Sequence, residues 1–195
     1  ITKLESADRF EEAVERAKNE SFSGVVLAEE FFQGNEYSVE YISWKGKHYF
    51  LSITEKFTSG APMFIEKGHL EPARVSASIE MKVTCVVEHA LDGLGVEYGA
   101  SHSELKINED GEIAIIEIGS RMGGDRIGSD LVSLSTGYDF VASVVAVAMG
   151  QCPALPEIEE HKYAAIRYVF DNKDLSALDA LKKNAPNLLL KADVS

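Results

Sequence analysis

The sequence predicts an α+β domain in which an antiparallel sheet, built from hairpins, packs against helices. Two observations favour this class. Two pairs of alternating segments are each joined by a glycine-containing turn, and a long apolar helical pattern separates the pairs. The chain has 195 residues, of which 45% are hydrophobic, and this suffices for about one domain with a buried core.

The predicted elements follow from local patterns in chain order. Residues 6–18 place apolar side chains on one helical face, with Ser6 as the N-cap, and residues 24–32 have the pattern of a strand. Residues 36–43 and 47–54 form a hairpin. The remaining predicted elements are a loop over 57–73, a helix over 75–94, a hairpin of 103–107 and 113–118, a buried helix over 130–149, a strand over 164–170 and a helix over 175–183.

Composition excludes several classes of function. A net charge of −13 argues against nucleic acid or an anionic membrane as a partner. No apolar run approaches the ~18 residues of a membrane span. The cysteines are far apart without ligand-like spacing, and Cys85 falls in an apolar helical pattern, so we expect a core thiol and a reducing, cytoplasmic location. ATP is not excluded, because carboxylates can recruit a divalent cation.

The second hairpin carries the candidate chemistry. If residues 110–111 form a two-residue turn, Glu104 faces Glu117 on the neighbouring strand. Facing Cβ atoms lie about 5 Å apart, and isoleucines flank Glu117, so a positive charge is expected between the acids. Lys106 and Arg121 are nearby, but Mg²⁺ fits better because it binds carboxylate and phosphate oxygens together. A solvated hairpin edge is the alternative, and a longer turn would shift the register.

A glycine-rich segment, E-I-G-S-R-M-G-G-D-R-I-G, follows over residues 117–128. Its glycines permit close backbone approach to a ligand and supply N–H groups for an anion. Arg121 can bind a carboxylate or phosphate with two parallel hydrogen bonds. An ordinary turn between a strand and a helix is the alternative.

Four motifs together resemble the ATP-grasp superfamily. They are L-A-E-E-F-F-Q-G-N-E-Y-S-V-E (27–40), F-I-E-K-G-H-L-E-P-A (64–73), H-S-E-L-K (102–106) and I-I-E-I-G-S-R-M-G-G-D (115–125). The chain is most similar to the group with bacterial L-amino acid ligases, and more distantly to carbamoyl phosphate synthase large chains and biotin carboxylase. The resemblance implies an ATP-grasp large lobe truncated at both ends. Residues 1–150 are then the C-terminal part of the ATP-grasp domain, and residues 151–195 begin an incomplete lid or substrate region.

The resemblance also implies a role for individual residues. The implied roles are magnesium binding by Glu104 and Glu117, adenine contact by Glu29, Phe31 and Phe32, ribose contact by Glu36 and phosphate contact by Lys56. For Arg121 the resemblance implies catalysis, by stabilising the acyl phosphate, or binding of the substrate carboxylate. It implies substrate contact by Glu66, His69, Gly123, Gly124 and Asp125. Core packing for the phenylalanines and solvent exposure for the acids and His69 are the alternatives. Gly119 stands where many members have a metal-binding asparagine, so the number of metal ions stays open.

The implied function is a carboxylate ligase that uses ATP and Mg²⁺, or Mn²⁺, to form an acyl phosphate, which an amine then converts to an amide or dipeptide. The implied partners are ATP, small carboxylates or amino acids, and a second subunit in a homodimer. We expect the chain itself to be an inactive fragment without the N-terminal domain and phosphate loop. The alternatives are a nucleotide- or metal-binding module without activity, or an enzyme like carbamoyl phosphate synthase or biotin carboxylase.

Overall fold

A six-stranded antiparallel sheet organises the computed structural model, which describes residues 2–60, 63–158 and 162–193. The strand order is β5-β4-β1-β2-β3-β6, and every neighbouring pair is antiparallel. The predicted α+β class is therefore confirmed. The strands are β1 (Asn35–Trp44), β2 (Lys47–Thr58), β3 (Glu66–Glu71), β4 (Tyr98–Ile107), β5 (Ile113–Gly119) and β6 (Ala164–Arg167).

The described residues form five α-helices beside the sheet. They are α1 (Phe10–Glu20), α2 (Ala77–Gly93), α3 (Val132–Thr136), α4 (Phe140–Ala148) and α5 (Asn172–Asn184). The predicted helices over 75–94 and 175–183 are confirmed. The helix predicted over 6–18 forms as a 3₁₀ turn, Ala7–Arg9, followed by α1, and Ser6 precedes it but donates its hydroxyl to Asp8 and caps no backbone N–H. Within the described part of the chain, no helix has the length and apolar character needed to cross a membrane.

The first hairpin forms as predicted. Lys45 and Gly46, both with positive φ, join β1 to β2, and this is the backbone geometry of a two-residue turn whose twist matches the strands. Both strands extend beyond the predicted ranges. β1 pairs with β2 on one side and with β4 on the other, so it lies in the centre of the sheet.

The two faces of the sheet differ in chemistry because side chains alternate along each strand. One face is apolar and packs against α2, with a core of Tyr37, Val39, Tyr41, Ile53, Leu105 and Ile107 from the strands and Val83, Val87 and Leu91 from the helix. The opposite face is apolar at one end, where Ile42 and Leu51 pack near Val132 and Phe140. The rest of that face is polar and carries the candidate site.

The strand predicted over residues 24–32 is wrong. This segment is irregular, and Val25 and Leu27 are largely exposed. Strand-forming side chains specify a strand only when a partner provides hydrogen bonds and a surface for packing. No described strand pairs with this segment.

The loop predicted over residues 57–73 is partly wrong, because β3 forms within it. Gly68 allows the close packing of β3 against β6, since a Cβ atom at this position would lie 2.3 Å from the carbonyl oxygen of Ile166. β3 is hydrogen-bonded on both sides, and this pairing overrides the local turn signals. β6, which confirms the first part of the strand predicted over 164–170, joins the same sheet from beyond residue 150.

The single buried helix predicted over residues 130–149 is also wrong. Gly137 adopts a left-handed conformation at the end of α3, and Asp139 then caps α4 by accepting the N–H of Ala142. A π-helical turn, Ile127–Leu131, precedes α3. α4 is only partly buried, since Val145 is 52% exposed. Cys85, predicted to be a core residue, is exposed on α2, as is Cys152 elsewhere in the chain.

Candidate functional site

A polar face crosses the centre of the sheet. On β1, the side chains of Glu36, Ser38 and Glu40 point to one side, because they alternate with the apolar core residues of the other face. Their strand neighbours extend the polar face: they are Lys56, Thr54 and Ser52 on β2, and Lys106, Glu104 and His102 on β4. Most of these side chains are buried, so charges on this face interact in a medium less polar than water.

The acid pair, Glu104 and Glu117, faces across β4 and β5, as predicted. The route to this register differs from the predicted two-residue turn. Ile107 pairs with Ile113, which leaves a longer turn and would by itself bring Ile116 opposite Glu104. A β-bulge in β5 leaves Ile116 without a partner residue on β4, and this brings Glu117 opposite Glu104.

The two acids have different surroundings. Glu104 accepts hydrogen bonds from Lys56 Nζ at 3.0 Å and His102 Nε2 at 3.3 Å. The hydrogen bond from His102, assisted by Lys56, lowers the pKa of Glu104 to about 2, although burial opposes this shift. Glu117 is exposed and forms no ion pair or side-chain hydrogen bond with any described residue. One carboxylate of the pair is therefore already balanced, and the other is open to a cation.

The cations expected near the acid pair lie elsewhere. Lys106 is 3.4 Å from Glu36, and Arg121 donates from Nη1 to the carbonyl oxygen of Met122 at 2.9 Å. Their predicted place beside Glu104 is taken by Lys56 and His102, which the register of β2, β1 and β4 brings to the same face.

Lys56 connects the acid pair to a second acidic group. Its ammonium lies 2.6 Å from Glu66 Oε1 and 3.0 Å from Glu104 Oε1, and its side chain is 5% exposed. Burial alone would lower the pKa of Lys56, but the hydrogen bonds and attraction of the two carboxylates outweigh burial and raise it. Lys56 is therefore a buried, charged group that lies between Glu104 of the acid pair and Glu66.

Glu66, His69 and Asp125 form a cluster next to Lys56. One ligand atom from each lies within 4.8 Å of the others, with His69 Nε2 at 3.5 Å from Glu66 Oε2 and 3.9 Å from Asp125 Oδ2. His69 is fully buried, and neither ring nitrogen has a hydrogen-bond partner in the described part of the chain. The nearby His69 ring and, to a lesser extent, the Lys56 ammonium lower the pKa of Glu66. The cluster can therefore accept a cation or a group that donates several hydrogen bonds.

Tyr168, which follows β6, packs over this cluster. Its ring is edge-on to the His69 ring, with 6.0 Å between the ring centres. Burial and the nearby charge of Asp125 raise the pKa of Tyr168 to about 12, so the phenol is neutral and can donate a hydrogen bond. Sequence analysis assigned no role to Tyr168.

The glycine-rich loop, residues 119–128, lies against the polar face. Gly123 donates its N–H to Glu40 Oε2 at 2.9 Å, and a Cβ atom there would lie 2.7 Å from Glu40 Oε1. Glycine is therefore required at position 123 for this approach. Gly124 has open space around it, and Asp125 has a positive φ of 49°. Gly123, Gly124 and Asp125 thus lie on a loop next to the polar face, and their contact with a substrate stays a prediction.

A cavity of about 550 Å³ lies beside the polar face and is large enough for a nucleotide. Phe31, Glu36 and Lys56 line it together with Lys106, whose ammonium is 5.0 Å from the centre of the Phe31 ring. Three of the predicted ATP-binding residues therefore meet in one cavity. Glu29 and Phe32, from the same irregular segment as Phe31, do not line it.

Glu40 and His102 are the polar residues that sequence analysis missed. Both are buried; Glu40 Oε1 contacts His102 Nδ1, and His102 Nε2 contacts Glu104. Burial lowers the basicity of His102, but Glu104 and Glu40 outweigh this and raise its pKa to about 9. The alternation of polar residues along β1 was the available signal, but such alternation usually indicates a solvated strand face.

Comparison with known proteins identifies the family. The sequence profile described as "ATP-grasp domain" matches residues 2–130, well over half of the chain. The chain belongs to the ATP-grasp family.

Three relatives show what this ATP-grasp chain is similar to. Alanine–anticapsin ligase of Bacillus subtilis is 28% identical over 116 residues, which cover 53% of this chain and 24% of the relative. Human carnosine synthase 1 is 27% identical over 135 residues, 69% of this chain and 16% of the relative. The crystal structure of L-amino acid ligase from Bacillus licheniformis matches with a TM-score of 0.73 and 28% identity, over 84% of this chain and 41% of that one. The chain thus spans a quarter or less of the curated relatives' length.

The candidate site has residues whose chemistry fits ATP and Mg²⁺, the cofactors that the resemblance implies. Glu117 is an exposed carboxylate facing Glu104, and oxygen ligands of this kind are what Mg²⁺ prefers. The cavity that Lys56 lines brings together three phenylalanines, two glutamates and three lysines, and side chains of these kinds can contact an adenine, a ribose and phosphates.

Proposed function

We propose that the protein is an ATP- and magnesium-dependent carboxylate ligase that joins a carboxylate to an amine through an acyl phosphate. The observation that carries this proposal is the acid pair, Glu104 and Glu117, brought face to face by the β5 bulge. Lys56 links the pair to the cavity, since its ammonium contacts Glu104 and its side chain lines the cavity wall.

The nucleotide is proposed to occupy this cavity. The Phe31 ring contacts the adenine, Glu36 accepts hydrogen bonds from ribose hydroxyls, and Lys56 approaches the phosphates. Magnesium held by Glu104 and Glu117 would neutralise negative charge on the phosphates. Lys56 must then move part of the way from Glu104 to a phosphate oxygen, which replaces one anionic partner by another. Glu29 and Phe32 remain predicted adenine contacts through their segment's backbone.

The proposed reaction has two steps. In the first, a carboxylate oxygen of the substrate attacks the γ-phosphorus of ATP, the bond to the β–γ bridging oxygen breaks, and ADP leaves. In the second, an amine attacks the acyl carbon, phosphate leaves with the bonding electron pair, and the nitrogen loses a proton. Positioning and charge neutralisation carry such phosphoryl chemistry. Arg121, exposed at the start of the glycine-rich loop, is proposed to stabilise the charge on the acyl phosphate.

The substrate is proposed to bind between the Glu66–His69–Asp125 cluster and the glycine-rich loop. Two carboxylates and an unpaired buried imidazole suit an amino acid's ammonium group. Gly123 and Gly124 allow its carboxylate to approach the loop backbone. Similarity to amino acid ligases supports this substrate class.

Glu117→Gln tests the proposal, with Glu109→Gln in the exposed turn of the same hairpin as the matched control. We expect Glu117→Gln to lose Mn²⁺-dependent nucleotide binding, and ADP release in the complete enzyme, with an unchanged melting temperature. Glu109→Gln should behave like the wild type. ADP release by folded Glu117→Gln at the wild-type rate would refute the proposal. A screen of amino acids and small carboxylates for stimulated ADP release would then identify the substrates.

Nucleotide and metal binding without turnover is the second candidate, for these 195 residues on their own. The small share of the relatives' length that the chain spans favours it. Titration of the chain with ATP and Mg²⁺ should raise its melting temperature, while ligase turnover by the chain alone would contradict this candidate.

Bicarbonate-stimulated ADP release would instead favour an enzyme like biotin carboxylase or carbamoyl phosphate synthase. The homodimer and the cytoplasmic location stay predictions. Light scattering of the purified protein tests the homodimer, and fluorescence imaging of the tagged protein in its own cells tests the location.

A further inference from the structure

Glu40 is a fully buried carboxylate at the centre of the sheet. It lies on β1 directly opposite His102 on β4, and its two oxygens have different partners. Oε1 contacts His102 Nδ1, and Oε2 accepts the Gly123 N–H at 2.9 Å. Both oxygens are therefore used, as a carboxylate removed from water requires.

His102 continues this connection to the acid pair. Its Nε2 lies 3.3 Å from Glu104 Oε1, so the imidazole stands between two carboxylates. β1 and β4 fix this order, because Glu40 is paired with His102 and Ser38 with Glu104. Contact with both carboxylates leaves the ring little freedom to rotate, and this restricts the side chain of Glu104.

Gly123 extends the connection to the glycine-rich loop. A Cβ atom at this position would come within 2.7 Å of Glu40 Oε1 and 2.9 Å of His102 Nδ1. The loop therefore rests directly on the Glu40–His102 pair, and Gly124 and Asp125 follow immediately in the chain.

Stability alone does not account for this arrangement. A buried ion pair usually contributes no more to folding than apolar side chains of similar volume would. Here a single carboxylate contacts both the histidine that holds Glu104 and the loop that carries Arg121 and Asp125. These contacts fix the loop and the acid relative to each other.

We propose that Glu40 is a positioning residue that fixes the Glu104 carboxylate, through His102, and the glycine-rich loop, through the Gly123 N–H, in one arrangement. This inference rests on the proposed function, because it assigns Glu104 to metal binding and the loop to substrate binding. Residues that orient metal ligands from behind change metal affinity by about 10- to 100-fold when they are altered.

Glu40→Gln provides the test, since it keeps the side chain's shape but cannot accept hydrogen bonds from His102 and Gly123 together. Ser103→Ala is the control, because Ser103 is equally buried and lies between His102 and Glu104 in β4. In Glu40→Gln we expect Mn²⁺–ADP affinity to fall at least tenfold, faster hydrogen exchange of the Gly123 amide and a changed electron paramagnetic resonance spectrum of bound Mn²⁺. Ser103→Ala should show none of these changes.

Wild-type Mn²⁺–ADP affinity and Gly123 exchange in Glu40→Gln would overturn the inference, as would equal losses in Ser103→Ala. If Glu40→Gln does not fold, Gly123→Ala is measured instead: tenfold weaker Mn²⁺–ADP binding supports positioning, and wild-type affinity overturns it. Failure of the proposed function would look different. The wild type would not bind Mn²⁺–ADP, while metal-free hydrogen exchange at Gly123 would still report on the contact with Glu40.

Discussion

Glu71 is a buried carboxyl group that makes the free energy of unfolding depend on pH. It lies on β3 with no exposed surface, and its Oε2 accepts a hydrogen bond from Thr54 Oγ1 at 3.0 Å. Burial, together with the charge of Glu40, raises the pKa of Glu71 from 4.5 to about 8, although the hydrogen bond from Thr54 opposes the shift. At neutral pH the folded protein therefore holds Glu71 protonated.

The magnitude follows from the difference in pKa between the folded and unfolded states. A rise from 4.5 to about 8 corresponds to about 5 kcal/mol at 1.36 kcal/mol for each pKa unit. Between these two values the folded state binds the proton more tightly than the unfolded state. Stability from Glu71 is therefore fully present below pH 4.5 and is lost as the pH rises through about 8. Such a loss is large against the roughly 5–15 kcal/mol that stabilises a typical domain.

Glu71→Gln removes the titratable carboxyl group and keeps a side-chain oxygen that can accept the hydrogen bond from Thr54. Urea unfolding of both proteins at several values between pH 5 and 9 measures the difference in free energy of unfolding. From pH 5 to pH 9 we expect the free energy of unfolding of the variant, relative to that of the wild type, to rise by on the order of 4 kcal/mol. Glu109→Gln, in an exposed turn, should give a constant difference from the wild type. A constant difference for Glu71→Gln as well would refute a raised pKa.

Two further predictions concern packing. Gly68→Ala should lower the free energy of unfolding by on the order of 2 kcal/mol and disrupt the pairing of β3 with β6, because the new Cβ would lie 2.3 Å from a carbonyl oxygen. Gly93→Ala, at a position with open space around it, should leave the free energy of unfolding unchanged or raise it. Equal urea midpoints for the two variants would contradict this. Leu91→Ala should lose about 2–5 kcal/mol because Leu91 is fully buried against the sheet. Met81→Ala, at a position 70% exposed, should lose under about 0.5 kcal/mol, and similar losses in both would count against the described core.

The fold could be predicted where local signals and long-range pairing agree. The first hairpin was predicted from the alternating segments on either side of a glycine-containing turn, and the structure pairs these segments through Lys45 and Gly46, both with positive φ. The predictions for residues 24–32 and for β3 were wrong for opposite reasons. The apolar segment 24–32 has no described strand partner, whereas the glycine-containing β3 pairs with a strand on each side. Strand pairing depends on neighbours distant in sequence, which local patterns do not record.

The candidate site shows the same division. The acid pair was predicted correctly from an incorrect turn, because the bulge at Ile116 offsets the longer connection. Glu40, His102 and Glu71 were not predicted as buried groups. Polar residues at every second position normally mark a solvated face, and only the covering loop and neighbouring strands reverse that meaning here.

The additional residue in β5 also separates two requirements for holding a divalent ion. A chain without Ile116 would keep Glu104 and Glu117 as direct cross-strand neighbours, now in a regular ladder, while losing the local bend and twist. The two carboxylates would stay close together after this deletion, but their orientation would change. Comparing ion affinity between the bent and straightened ribbons would show how much of the binding free energy comes from orientation rather than from proximity.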